Sequence, residues 1–370
     1  MFRIPYIAWC LLPGMVYAGL LHYQNVSDKG VMTSYTGLHV AIGCFMGLLA
    51  HRIRHHQLAR TCLRKDIKSF RRELLHKNPQ PVRCPRGPSR ALQAGQLCQF
   101  LDYFAGYIGP SRTMYYICHN IILPITRRYK LSYAELAGPT ETAWFVSHYW
   151  GTSFSHFAST ICKHAQEALM SQTGCESVSK WQYLSYWICS FSNNQWDVEE
   201  EVGQSWEESS FYLAMRSVGT KGTVMVFDEL ALPLTRSWCL FELLQTQQLS
   251  HERPGNFVGL MLCSPLGVMN HGNGSLDLAM NVSHKLANLR LQDASASKSA
   301  DKEMINNLVV TCHGGFSKIN AFLIRSVREV LQATQLRFKE ACGHCSLRWM
   351  PLRSARRWGW TLPPWTLQTM

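Results

Sequence analysis

The chain has 370 residues, a length that suits two folded regions with attachments better than one ordinary domain. Hydrophobic residues make up 46% and charged residues 16%, which excludes a wholly disordered chain. The net charge of +13 is uneven: residues 51–90 hold 12 Lys/Arg against 2 Asp/Glu, while residues 141–333 hold 13 against 18. That split excludes a globular nucleic-acid domain with a basic face.

In chain order, residues 4–21 and 31–50 are two uncharged runs of roughly the length a bilayer requires. Pro5 and Pro13 bend the first; His39 and a Ser/Thr cluster weaken the second. The cations after residue 50 place that end in the cytoplasm by the positive-inside rule. Two arrangements fit: a hairpin of two spans, or a signal peptide (cleaved near Val16-Tyr17-Ala18) followed by one span. Buried core helices are the third reading. The expectation is a membrane anchor over residues 1–50, lipid contact through residues 1–90, and residues 51–370 in the cytoplasm. Residues 51–95 read as a basic juxtamembrane segment ending in a Pro/Gly/Arg linker. Residues 96–140, rich in aromatics and Ile, read as short helices packed on the next domain.

From residue 141 to 336 strand-like and helix-like segments alternate. Strands are predicted over 142–147, 184–191, 223–227 and 256–263, with helices over 157–170, up to 217, and over 234–249. Such alternation predicts an α/β fold, a doubly wound parallel sheet of about four to five strands flanked by helices and preceded by the N-terminal hydrophobic helices. Ligands of such sheets bind outside the carboxyl ends of the strands, where Ser147 and His148, Asn193 and Asn194, and Asp228 fall. A closing helix over 319–336 and a basic Trp/Pro-rich tail over 337–370 complete the chain.

The 14 cysteines are scattered, several within apolar runs, which suits reduced, buried thiols. The pair Cys342 and Cys345 follows a helix instead of opening one, so it lacks the setting of a redox motif. No second Cys or His pair stands at metal-ligand spacing, so neither a metal nor a resident cofactor is expected.

One stretch carries a resemblance. VMVFDELALPLTRSWCLFELL runs from a strand through a loop into a helix reading Ser237-Trp238-Cys239-Leu240-Phe241-Glu242-Leu243. Together with WFVSHYWG and YWICSFSNN it resembles Toll/interleukin-receptor (TIR) domains, especially the plant type, over residues 142–290. The resemblance implies a flavodoxin-like sheet and self-association. It also implies, for catalytic members, cleavage of NAD at the nicotinamide–ribose bond by the helix carboxylate, here Glu242. One carboxylate suffices because nicotinamide leaves as a neutral base, so only the cationic ribose needs stabilising. Trp238 would stack on a ring, and Ser147, His148, Asn193, Asn194 and Asp228 would line the substrate. Spacing alone fits equally a core indole and a surface carboxylate. The alternative is a non-catalytic signalling or scaffold module acting by self-association.

Overall fold

The computed structural model describes residues 32–173, 180–296, 299–312 and 315–321, and seven positions between 324 and 336. The chain divides into two units, Met1–His76 and Lys77–Met370.

The described part of the first unit is one helix, α1 (Met32–Lys77), whose last residue crosses the boundary. It corrects the membrane expectation. Among the described residues no helix is long and apolar enough to cross a membrane. The run over 31–50 includes Ser34, Thr36 and His39, and the same helix then reaches His51, Arg52 and Arg54. It therefore gains length without sustaining the hydropathy a span needs. The anchored, cytoplasm-facing topology built on that run falls with it. Residues 4–21, the tail over 337–370, and Cys342 and Cys345 lie outside the described residues.

The second unit is built on a six-stranded mixed sheet in the order β1-β3-β2-β4-β5-β6. The strands are β1 (Leu92–Gln93), β2 (Trp144–His148), β3 (Ser185–Ile188), β4 (Gly222–Val226), β5 (Gly259–Ser264) and β6 (Gly267–Val268). The four central strands are parallel, as expected. The two short edge strands are antiparallel, which makes the sheet mixed and larger than expected. Both come from segments that read as loops: a two-residue strand is too short to show a period.

Helices α2 (Ala94–Tyr103), α3 (Tyr133–Ala137), α4 (Phe154–Thr173), α5 (Val198–Val202), α6 (Ser210–Arg216), α7 (Ser237–Glu252), α8 (Leu276–Ala287) and α9 (Ser299–Cys312) surround the sheet. Strand alternation decides what each covers. Along β2, Trp144 and His148 point to α4, with ring centroids 4.6 Å from His164 and 4.5 Å from Phe157. Phe145 points the other way, stacked 5.1 Å from Trp187 in a cluster with Met215 of α6 and Leu249 of α7. Helices α7, α8 and α9 share a second apolar cluster with Leu260 and Leu262 of β5. All residues of β2 and β4 are buried, which explains why both read as continuous apolar runs. Gly222 is required where β4 passes Trp144: a Cβ there would stand 2.8 Å from the ring and 2.8 Å from the Gly259 carbonyl oxygen.

The aromatic segment over 96–140 packs within this unit. Phe100 lies 5.1–5.6 Å from the rings of Phe104, Tyr133, Phe154 and Phe191. Each such pair contributes roughly 0.5–1.5 kcal/mol beyond its buried area. Cys98 of α2 and Cys162 of α4 form a disulfide, a pairing that corrects the expectation of wholly reduced thiols.

A buried ion network fastens the basic linker. Arg90, 1% exposed, sets Nε 3.1 Å from Glu135 of α3 and pairs through Nη1 with Glu201 of α5. Its Nη2 also donates to the Cys84 carbonyl at 2.6 Å. Glu135 accepts from the backbone N–H of Cys84 and Ser132, and Glu201 accepts from the Ser210 hydroxyl. Removing the cation leaves two desolvated carboxylates facing each other. Arg90→Ala should therefore cost about 3–5 kcal/mol in denaturant unfolding of the full chain; a loss below about 1 kcal/mol would mean the network is not holding the linker in place.

Candidate functional site

Helix α7 begins after a tight loop that leaves the end of β4. Asp228 organises this loop: one carboxylate oxygen accepts from the Leu232 N–H at 2.9 Å, the other from the Thr152 hydroxyl at 3.2 Å. Ala231, with φ of +52°, takes the left-handed turn and donates its N–H to the Asp228 carbonyl at 3.0 Å. That conformation is uncommon for a residue with a Cβ. The loop delivers Arg236 as the N-cap residue and Ser237 as the first residue of α7. Cys239 and Glu242 follow at intervals of three, which places them on one side of the helix.

That side meets β2. Ser147 points to the same sheet face as Phe145, towards α7, and is fully buried. Its hydroxyl makes no hydrogen bond of ordinary geometry, yet it lies near enough to Glu242 and Cys239 to favour their ionised forms. Burial outweighs that help. The Glu242 side chain keeps a partial opening to solvent, but the protein packed around its carboxyl raises its pKa to about 8. Cys189, just after β3, lies within electrostatic range of Glu242, and burial pushes its thiol up to about 12. Burial raises the Cys239 thiol well above its ordinary value too. Neither cysteine is a reactive thiolate. The Trp150 indole N–H donates to the Cys189 sulfur at 3.1 Å, closing the other side of the cluster. Beneath Glu242, Thr246 donates to the Glu242 carbonyl at 2.7 Å and fixes that turn of helix.

The sequence candidates separate into two groups. Glu242 and Ser147 come together at the carboxyl end of β2, and Asn193 lies in the turn after β3 with its side-chain oxygen buried and unpartnered. The others are engaged elsewhere. Trp238 donates its indole N–H to Asp301 at 3.0 Å and meets the Phe211 ring at 5.0 Å, so its ring joins α6 and α9 to α7. Asn194 donates to the Lys130 carbonyl and accepts from the Trp196 N–H, fixing a turn. Asp228 serves the loop just described. His148 points to the opposite face against Phe157, and burial pushes its pKa down to about 3, so it is a neutral imidazole. Trp238, Asn194, Asp228 and His148 thus each make structural contacts.

Sequence reasoning missed Cys189, Cys239 and Trp150. The alternation of β2 and β3 shows that residues 147 and 189 share a face. Only the packing of α7 shows that residues 236, 239 and 242 meet it. A surface depression of about 510 Å³, lined by Gly95, Cys98, Gln99, Asp102, Tyr103 and Gln182, lies elsewhere on α2. It has no part in this cluster. Among the described residues no group of three or more His, Cys, Asp or Glu is arranged to hold a metal.

The raised pKa of Glu242 links its proton to folding. The folded state holds this proton more tightly than the unfolded chain, so stability is fully present below about 4.5 and is lost as pH rises through about 8. Glu242→Gln removes the titration. The melting temperature of Glu242→Gln should therefore stay close to wild type at pH 5 and exceed it at pH 9, where the stability difference is on the order of a few kcal/mol at most. Parallel pH profiles of the two proteins in differential scanning calorimetry would contradict a desolvated acid.

Compared with known proteins, the chain matches no family model, no curated protein and no solved structure.

Proposed function

We propose that the second unit is a TIR-like domain with a doubly wound, flavodoxin-like sheet, and that it cleaves NAD at the nicotinamide–ribose bond through Glu242. The observation that carries this reading is a single carboxyl group held by α7 against Ser147 at the carboxyl end of the first parallel strand. The central strand order β3-β2-β4-β5 supports it, because the crevice of such a sheet lies where strand order reverses, beside β2. In the reaction the N-glycosidic bond breaks and its electron pair passes to the nicotinamide ring. The Glu242 carboxylate stabilises the ribosyl cation as it forms. Water then adds to that carbon, and its proton passes through the carboxylate to solvent. Low polarity strengthens the attraction between carboxylate and cation. The same low polarity makes the carboxylate the minor form at neutral pH.

A second reading is favoured by a specific contact. Because the Trp238 indole is bound to Asp301 and Phe211, it is not presented to a ligand, which suits a non-catalytic module acting by self-association.

Nicotinamide release from NAD separates the two. The full chain, assayed at high concentration or tethered at high density, should release nicotinamide, with a rate that rises as pH passes through about 8 and Glu242 ionises. Glu242→Ala should reduce the rate by at least about a hundredfold. Equal turnover by wild type and Glu242→Ala, or none by either, leaves the scaffold reading.

A further inference from the structure

Helix α1 carries one apolar stripe that is covered at one end and bare at the other. Ile42, Met46, Leu49 and Ile53 follow one another at alternating steps of four and three residues, the 3.5-residue period of a helix-pairing seam. Ile67, Phe70 and Leu74 fall in the same frame, at whole heptads from Ile53 and Leu49. These three are buried. The first four, with Phe45 beside them, are 40–64% exposed. A contiguous apolar patch of this kind on a water-facing helix marks an association surface.

The bare stretch is complementary to itself when two copies run antiparallel. With the two-fold axis between Gly47 and Leu48, Ile42 of one copy meets Ile53 of the other and Met46 meets Leu49, which makes four apolar layers. Gly43 and Ala50 line one flank of this seam and keep it free of bulk. On the other flank Phe45 stands opposite Arg52 of the second copy, a cation against a ring. Charge decides the direction. Residues 51–90 hold 12 Lys/Arg against 2 Asp/Glu. A parallel pair would lay these basic stretches side by side, where like charges repel. The antiparallel pair sends them out at opposite ends and sets Arg54 opposite Ala41. The buried end of the stripe is already covered, so the overlap stops at residues 42–53, about 18 Å of helix.

We infer that α1 pairs with α1 of a second copy, antiparallel over residues 42–53, and makes the chain a dimer. Neither functional reading above is needed for this, since the surface belongs to the first unit. The seam is shorter than the three or four heptads of a lasting coiled coil. Its dissociation constant is therefore on the order of ten micromolar, and monomer and dimer exchange with concentration.

Sedimentation equilibrium of the full chain, from about 1 to 100 micromolar, should show the passage from monomer to dimer. Ile42→Glu and Ile53→Lys should each weaken the dimer at least about tenfold, because each sets a charge against an isoleucine. The double variant Ile42→Glu/Ile53→Lys sets Glu against Lys in both end layers of an antiparallel pair. It should dimerise at least about threefold more tightly than either single variant. A parallel pair would instead face Glu with Glu and Lys with Lys, and the double variant would be the weakest of the three. Both positions are exposed in the single chain, so the melting temperature of the monomer should not change. A chain that stays monomeric at every concentration overturns the pairing; if Ile53→Lys also lowers its melting temperature, another segment of the same chain covers the face. A dimer indifferent to both single substitutions lies elsewhere and overturns it too, and a double variant weaker than either single one overturns the antiparallel arrangement.

Discussion

The second unit depends on one buried cation. Arg90 faces two carboxylates, Glu135 and Glu201, and gives its remaining donors to the Cys84 carbonyl. These partners come from three separate stretches: the linker, the aromatic helical segment, and the acidic loop after β3. Charge geometry joins the three stretches at this point. Around this centre Arg83 pairs with Glu200, and Arg86 donates to the Glu200 carbonyl. These outer pairs are exposed and contribute little individually. The inner one is desolvated, so each member is costly to leave alone. Part of the charge asymmetry in the sequence is therefore internal: basic linker residues answer acidic residues of the α/β block within the same unit.

Electrostatics at the candidate site follow the opposite logic. Glu242 has no cation pressed against it; it has a serine, two raised thiols and the protein matrix. Its proton affinity is set by exclusion of water, with Ser147 as a weak counterweight. A group of this kind is unfavourable for folding when ionised. The loop from β4 to α7 shows related strain at Ala231, held by Asp228.

The four central strands and their helices were legible because buried parallel strands read as apolar runs bounded by polar loop starts. The edge strands Leu92–Gln93 and Gly267–Val268 were not, since their pairing is set by neighbouring strands and not by any local pattern. The placement of Ser147 near the end of a strand and of Glu242 on the helix that follows β4 was legible; their meeting was not. Helical spacing puts Trp238 one turn from Glu242, but only tertiary packing reveals that Asp301 and Phe211 meet its ring. His148 shows how one residue matters in a strand: adjacent to Ser147 in sequence, it lies on the other face of the sheet. The apolar run over 31–50 was misread for a different reason. Its length suited a span, but it is the opening of a 46-residue helix that soon turns basic.

The account turns on the state of one carboxyl group, and that state is directly observable. Carbon-13 shifts of the Glu242 side-chain carboxyl, assigned by comparison with Glu242→Gln, can be followed from pH 4 to pH 10 in the full chain. A desolvated acid beside Ser147 titrates with a midpoint near 8. A midpoint in the ordinary glutamate range, near 4.3, would show the group open to water and remove the physical basis for the site.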